Sequence, residues 1–172
     1  MISIAAQAYA KTENITIQGS VGKLSAVLQT PDGLSEGEKC PVAILMHGFM
    51  GGKDGMLEKL TADKLAQNGI ASIRFDFNGH GESEGPFSGM TVPNEIEDAK
   101  LVYEYVKSLP YAGSVAMTGH SQGGVVASMT AGDLGVENIE CVVLLAPAAV
   151  LRDDAIRGST MGARYNPLDP PE

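Results

Sequence analysis

Residues Val42-Ala43-Ile44-Leu45-Met46 are apolar at every position, and His47-Gly48 closes the run. A half-exposed strand alternates, whereas an unbroken apolar run of this length needs cover on both faces, the setting of a central strand in a parallel sheet. Ile70–Phe75, Val115–Thr118 and Ile139–Ala146 are further apolar segments of strand length. Between them lie segments with helical spacing. Residues 55–68 carry Leu57, Leu60 and Leu65 and end at Asn68-Gly69. Thr91 stands as N-cap to Val92, Ile96, Ala99, Tyr103 and Val106. Acids Glu95, Glu97 and Asp98 come early, Lys107 comes late, and Pro110 follows, as expected for an amphipathic helix and its dipole. Residues 122–134 read as a third helix. Upstream, Ile15 and Ile17 and then Leu24, Ala26 and Leu28 alternate with polar neighbours across the Gly19–Gly22 turn. This predicts an antiparallel hairpin with one buried face, ended by Pro31-Asp32-Gly33. The order predicts an α/β fold: a mostly parallel sheet of six strands, helices on both faces and an N-terminal antiparallel hairpin. Ala148–Glu172 shows no period, and no closing helix or strand is expected there.

At 172 residues the chain is about one domain. Twelve basic against 21 acidic residues leave a net charge of −9, which repels phosphate backbones and argues against nucleic-acid binding. No apolar run approaches the ~20 residues that span a bilayer. Cys40 and Cys141 each adjoin an apolar run and read as small buried packing residues. Metal-ligand spacings such as CxxC and HExxH do not occur, so no metal is expected. Residues Met1–Ala10 end in Ala8-Tyr9-Ala10 but lack a basic start and a sustained apolar stretch. They read as a loosely held leader on a cytoplasmic protein rather than a secretion signal.

Gly119-His120-Ser121-Gln122-Gly123 follows one expected strand and opens one expected helix. A G-x-S-x-G in that context is a nucleophile elbow. The chain must turn from strand to helix within about one residue, which strains Ser121 and lifts its hydroxyl above the sheet edge. Attack on an ester builds an oxyanion, which needs preorganised donors. One is the N–H of Gln122, at a helix N-terminus. The second would come from the loop His47-Gly48-Phe49-Met50-Gly51-Gly52, where Phe49 is the candidate. A phosphate loop is excluded, because Gly52-Lys53 has His47 where the first glycine should be and Asp54 where Ser or Thr should be.

In a G-x-S-x-G hydrolase an acid and then a His follow the serine. No His follows Ser121; His47, His80 and His120 all precede it. His47 reads as a structural group of the oxyanion loop, His80 as a brace for the loop Asp76–Gly89, and His120 as pointing away from the nucleophile. Nucleophile and oxyanion donors are therefore expected without a base, as if a larger domain continued. The edge of the strand Cys141–Ala146 would then be unpaired and apolar, and association is expected there, either of two copies or with a complementing segment.

Met46-His47-Gly48-Phe49, Phe75 through Ser83, Gly119 through Gly124 and Leu144 through Ala148 together resemble the bacterial cinnamoyl (feruloyl) esterases of the α/β-hydrolase superfamily. The resemblance runs from about residue 23 to the end. It implies hydrolysis of hydroxycinnamate esters through an acyl group on Ser121, with Phe49 and Gln122 as oxyanion donors and no cofactor. It implies a division into residues 1–149, the N-terminal part of the hydrolase core, and 150–172, the start of an inserted lid. Within the lid, Asp154 would meet the substrate's ring hydroxyl, or else be a solvated loop carboxylate, and Met161 stands where a relative offers Gln. The family's acid and His find no matching positions. Other readings are a different acyl hydrolase (thioesterase or lipase-like) and a non-catalytic fragment or binding module.

Overall fold

The computed structural model describes residues 10–160, 163, 164, 166 and 168. Nine residues of the expected leader, and Met161, lie outside the described residues. The main sheet contains β1 (Ala10–Gln18), β2 (Lys23–Pro31), β3 (Cys40–Met46), β4 (Ala71–Phe75), β5 (Ala112–His120) and β6 (Cys141–Leu145), in the order β1-β2-β4-β3-β5-β6. β2 runs antiparallel to β1 and β4; β4, β3, β5 and β6 are mutually parallel. Helices α1 (Met56–Gln67), α2 (Val92–Ser108) and α3 (Gln122–Leu134) form the crossovers. This is the expected α/β architecture, with β3 at its centre.

Strand alternation sorts the core. Val42, Ile44 and Met46 of β3, Ile73 and Phe75 of β4, and Val115 and Met117 of β5 meet Ile96, Ala99, Val102 and Val106 of α2 and Val126 and Ala127 of α3. Ala43 and Leu45 face the other way, against Ala62 of α1. Each large side chain buried here contributes about 1.5–3 kcal/mol. Thr91 caps α2, its hydroxyl accepting from the Asn94 N–H at 3.3 Å.

The structure differs from the sequence expectation at several points. The hairpin is one-faced only in β1. Val27 and Gln29 of β2 are buried too, because α1 covers that side, and the Gln29 side-chain amide donates to Asp63 of α1 at 2.9 Å. Cys40 is buried as expected, but Cys141 is exposed, since it starts the strand β6, which among the described residues pairs with β5 alone. Val142, Val143 and Leu144 of that strand are 39%, 44% and 42% exposed. The stretch after Ala148 does contain a helix, α4 (Leu151–Arg157), ended by Gly158 in the left-handed conformation, and a two-stranded pair, β7 (Ser159–Thr160) with β8 (Ala163–Arg164). Seven residues are too few for a hydrophobic period to stand out.

The parallel strands deliver their following loops to one edge of the sheet, where open α/β sheets bind ligands. Among the described residues, the non-glycine residues with positive φ are Met50 (58°), Ser121 (53°) and Ala146 (45°). They lie just past the ends of β3, β5 and β6, so the backbone strain is concentrated on that edge. The glycines of the elbow allow this crowding. A Cβ on Gly119 would strike the Gly123 carbonyl, and one on Gly123 would strike the carbonyl oxygens of Met46 and His47. Gly123→Ala therefore forces backbone apart, at a cost of about 1–3 kcal/mol. Thermal unfolding should show a midpoint lowered by at least a few degrees; an unchanged midpoint would mean that the elbow is not packed as described.

Candidate active site

β5 passes into α3 with Ser121 as the sole link, at φ 53° and ψ −119°. Its N–H donates to the Leu145 carbonyl at 3.0 Å, and its carbonyl accepts from Gly124 at 3.0 Å and Ala148 at 2.9 Å. The backbone is thus fixed by β6, by α3 and by the loop after β6. Gly48 lies against the side chain: a Cβ there would come within 3.0 Å of Ser121 Cβ. Among the described residues, the N–H groups of Phe49 and Gln122 have no acceptor. Two amides without an acceptor thus lie next in chain to groups at the strained serine: Gln122 follows Ser121 itself, and Phe49 follows Gly48.

The loop bearing Phe49 is braced from below. Lys53 is buried, and its N–H donates to Asp76 Oδ1 at 2.6 Å. Its ammonium reaches Asp76 at 3.1 Å, Glu82 at 2.7 Å and Asp54 at 3.1 Å. Burial alone would lower the Lys53 pKa; hydrogen bonds to the three carboxylates outweigh it and hold the group well above its ordinary value. The Glu82 N–H completes the cradle of Asp76 at 2.9 Å. Above, the Phe49 ring packs on Phe87 with centroids 5.7 Å apart, and Phe87 in turn meets His80 edge-on at 5.1 Å.

The three histidines are placed otherwise than as a base. His47 is 1% exposed; its Nδ1–H donates to the Gly48 carbonyl at 2.8 Å, and its Nε2 accepts from the Phe77 N–H at 3.2 Å. Both nitrogens are therefore used, Nδ1 within the loop after β3 and Nε2 in joining that loop to the one after β4, the structural role expected from the sequence. His80 is buried beside Asn78, 3.4 Å from that carbonyl. His120 is exposed and lines a shallow depression with Leu57, Glu58 and Thr61 of α1. Among the described residues, the Ser121 hydroxyl has no hydrogen-bond partner. Asp154 lies half-buried on α4, which packs chiefly on β7, and no contact brings it to Ser121.

Some participants escaped the sequence reading. Glu95 and Asp98, read there only as early acids favouring the helix dipole, are 2% and 0% exposed. The Gln122 side-chain amide donates to both Glu95 oxygens, at 2.9 and 2.8 Å. Asp98 accepts from the N–H and hydroxyl of Ser20, both at 2.8 Å, and from the Asn78 N–H at 2.9 Å. The signal was available: Glu95 sits three residues after Val92 and four before Ala99, on the apolar stripe itself. Lys53 and Asp76 left no such trace, since they lie 23 positions apart in the chain.

The sequence pattern of the family described as serine aminopeptidase, S33, matches residues 37–164. The chain belongs to this α/β-hydrolase family. The structure of Est1E from Butyrivibrio proteoclasticus with ferulic acid bound is 31% identical, with a TM-score of 0.86 over 91% of this chain and 62% of that one. An esterase from Pyrococcus furiosus is 25% identical, with a TM-score of 0.70 over 87% of this chain and 57% of that one. An α/β serine hydrolase from Xanthomonas campestris, described as lacking a lid, shares the fold at 23% identity, with a TM-score of 0.70 over 94% of this chain and 67% of that one. The hydrolase chain thus spans about three fifths of the length of Est1E.

The His47 geometry has a measurable consequence. Burial, with a smaller push from His80, outweighs the Gly48 carbonyl and lowers its pKa to about 4. The folded state then binds fewer protons than the unfolded chain between about pH 4 and 6.5, so this contribution to stability is intact above 6.5 and fades as pH falls through 4. Ring-proton NMR should find His47 neutral, with the proton on Nδ1, down to about pH 4. A titration near 6.5 would contradict its buried, doubly bonded placement.

Proposed function

We propose that this chain is the nucleophile-bearing part of a serine carboxylic-ester hydrolase acting on hydroxycinnamate esters of the ferulate type. The observation that carries the reading is the strained Ser121 at the start of α3, with unpaired amides on Gln122, which follows it, and on Phe49, which follows the Gly48 lying against its side chain. In the proposed reaction Ser121 Oγ attacks the ester carbonyl carbon and loses its proton to a base. The carbonyl oxygen becomes an oxyanion held by the N–H groups of Phe49 and Gln122. The tetrahedral intermediate collapses, the C–O bond to the alcohol breaks, and the alcohol leaves with a proton. Water then releases the acid from Ser121. Removing one such donor typically costs about 2.7–4 kcal/mol of transition-state stabilisation.

The base and its orienting acid are proposed to come from polypeptide other than these 172 residues, either further sequence or a second chain meeting the β6 edge. His47 cannot serve while both its nitrogens are engaged. In a well-studied serine protease, loss of the base lowers kcat about 10⁶-fold, so the chain alone should be very slow. The ferulate preference rests on the 31% identity to a structure holding ferulic acid, together with the partly exposed aromatic pair Phe49–Phe87 on the loops after β3 and β4. Residues 150–172 would begin a lid over this site, in which Asp154 meets the phenolic hydroxyl. The absence of a base near Ser121 among the described residues favours a second reading, a non-catalytic binding module.

A fluorophosphonate probe followed by peptide mass spectrometry separates the two. The esterase reading expects label on Ser121 alone, abolished in Ser121→Ala and accelerated when the complementing polypeptide is supplied. No label on Ser121 under either condition would leave the binding module. With the complement present, methyl ferulate should be cleaved in preference to short nitrophenyl esters and acyl-thioesters; a thioester preference would overturn the substrate assignment.

A further inference from the structure

Glu95 has no place in the reaction just described, yet it is buried at the root of the elbow. Its carboxylate accepts the Gln122 side-chain amide with both oxygens, and the same amide lies 3.4 Å from Met90 Sδ. Gln122 is the first residue of α3, so its own N–H belongs to no helical hydrogen bond. Fixing its side chain therefore fixes the orientation of the free amide beside Ser121.

We infer that Glu95 is a positioning residue for the elbow, its ionised carboxylate clamping Gln122 so that the backbone N–H of Gln122 stays aimed at the space beside Ser121. The inference rests on the esterase reading only for what that N–H binds; the clamp itself is a matter of geometry. An ionised carboxylate offers acceptors on both oxygens. A protonated one turns one oxygen into a donor, which cannot face an amide NH₂, and the two-point hold becomes a one-point hold.

The surroundings set when this happens. Burial, partly opposed by the Gln122 hydrogen bond and assisted by the Asp98 charge, raises Glu95 to about 7. Asp98, on the same helix, is the charged group acting on it; α3 presents the uncharged Gln122 and the loop before α2 presents the uncharged Met90. A cavity of about 70 Å³, lined in part by Asn78, Met90, Asn94 and Asp98, adjoins the carboxylate and is wide enough for water to exchange its proton. The clamp therefore closes as pH rises through about 7. The sign for stability is opposite. The folded pKa exceeds the unfolded value, so the stabilising contribution is full below about 4.5 and is lost as pH rises through 7.

The test is an NMR titration of the 172-residue chain, following the Gln122 side-chain NH₂ and the backbone amides of Ser121, Gln122 and Gly123 between pH 5 and 9. The resonances should move together with one midpoint near 7. Glu95→Gln, which like the protonated acid offers the Gln122 amide one acceptor oxygen, should abolish the titration and leave the backbone amides near their low-pH positions. Glu95→Ala should displace them at every pH. If the Gln122 backbone amide stays fixed while its side chain titrates, or if the midpoint survives in Glu95→Gln, the inference is overturned. Should Glu95→Ala fail to fold, the wild type and Glu95→Gln still decide the question. No turnover is needed, so this failure is distinct from a failure of the esterase reading, which Ser121 labelling decides.

Discussion

The site depends on a strand that becomes a helix across one residue. At Ser121 the chain leaves β5 and enters α3 with φ at 53°, a conformation that costs a non-glycine residue about 1–3 kcal/mol. Such strain persists only when the surroundings over-determine it. Here they do: the serine's own N–H and C=O are bonded to Leu145, Gly124 and Ala148, and Gly119 and Gly123 let the helix pass where side chains would collide with carbonyls. The geometry that raises the hydroxyl also leaves the first N–H of α3 unused.

A second layer holds the opposing loop. Lys53 and Asp76 form a buried pair that ties the loop after β3 to the loop after β4, and His47 joins the same two loops by a neutral ring. Buried ion pairs contribute little net stability relative to apolar packing. Their value here is positional, since the pair fixes a glycine-rich loop that otherwise has many conformations. Strain past the ends of β3, β5 and β6 thus converges on one edge.

Much of this was legible in the residues. The unbroken run Val42–Met46 pointed to the central strand, the spacing from Val92 to Val106 gave α2, and the glycines flanking Ser121 marked the elbow, because each reflects local periodicity or backbone geometry. What the sequence hid depends on distant partners. Val27 and Gln29 are buried because α1 lies over them, and Cys141 is exposed because its strand, among the described residues, has a neighbour on one side only. Lys53 and Asp76 acquire meaning only when two loops meet. Glu95 is the intermediate case: its place on the apolar stripe was visible, but its partner Gln122 lies on another helix.

The most direct test of the central claim is a crystal structure of the Ser121 phosphonate adduct. The account predicts the phosphorus on Ser121 Oγ and its phosphoryl oxygen about 2.7–3.1 Å from both the Phe49 and Gln122 nitrogens, the distances of an oxyanion hole. An adduct whose phosphoryl oxygen faces solvent, with neither amide in reach, would contradict it.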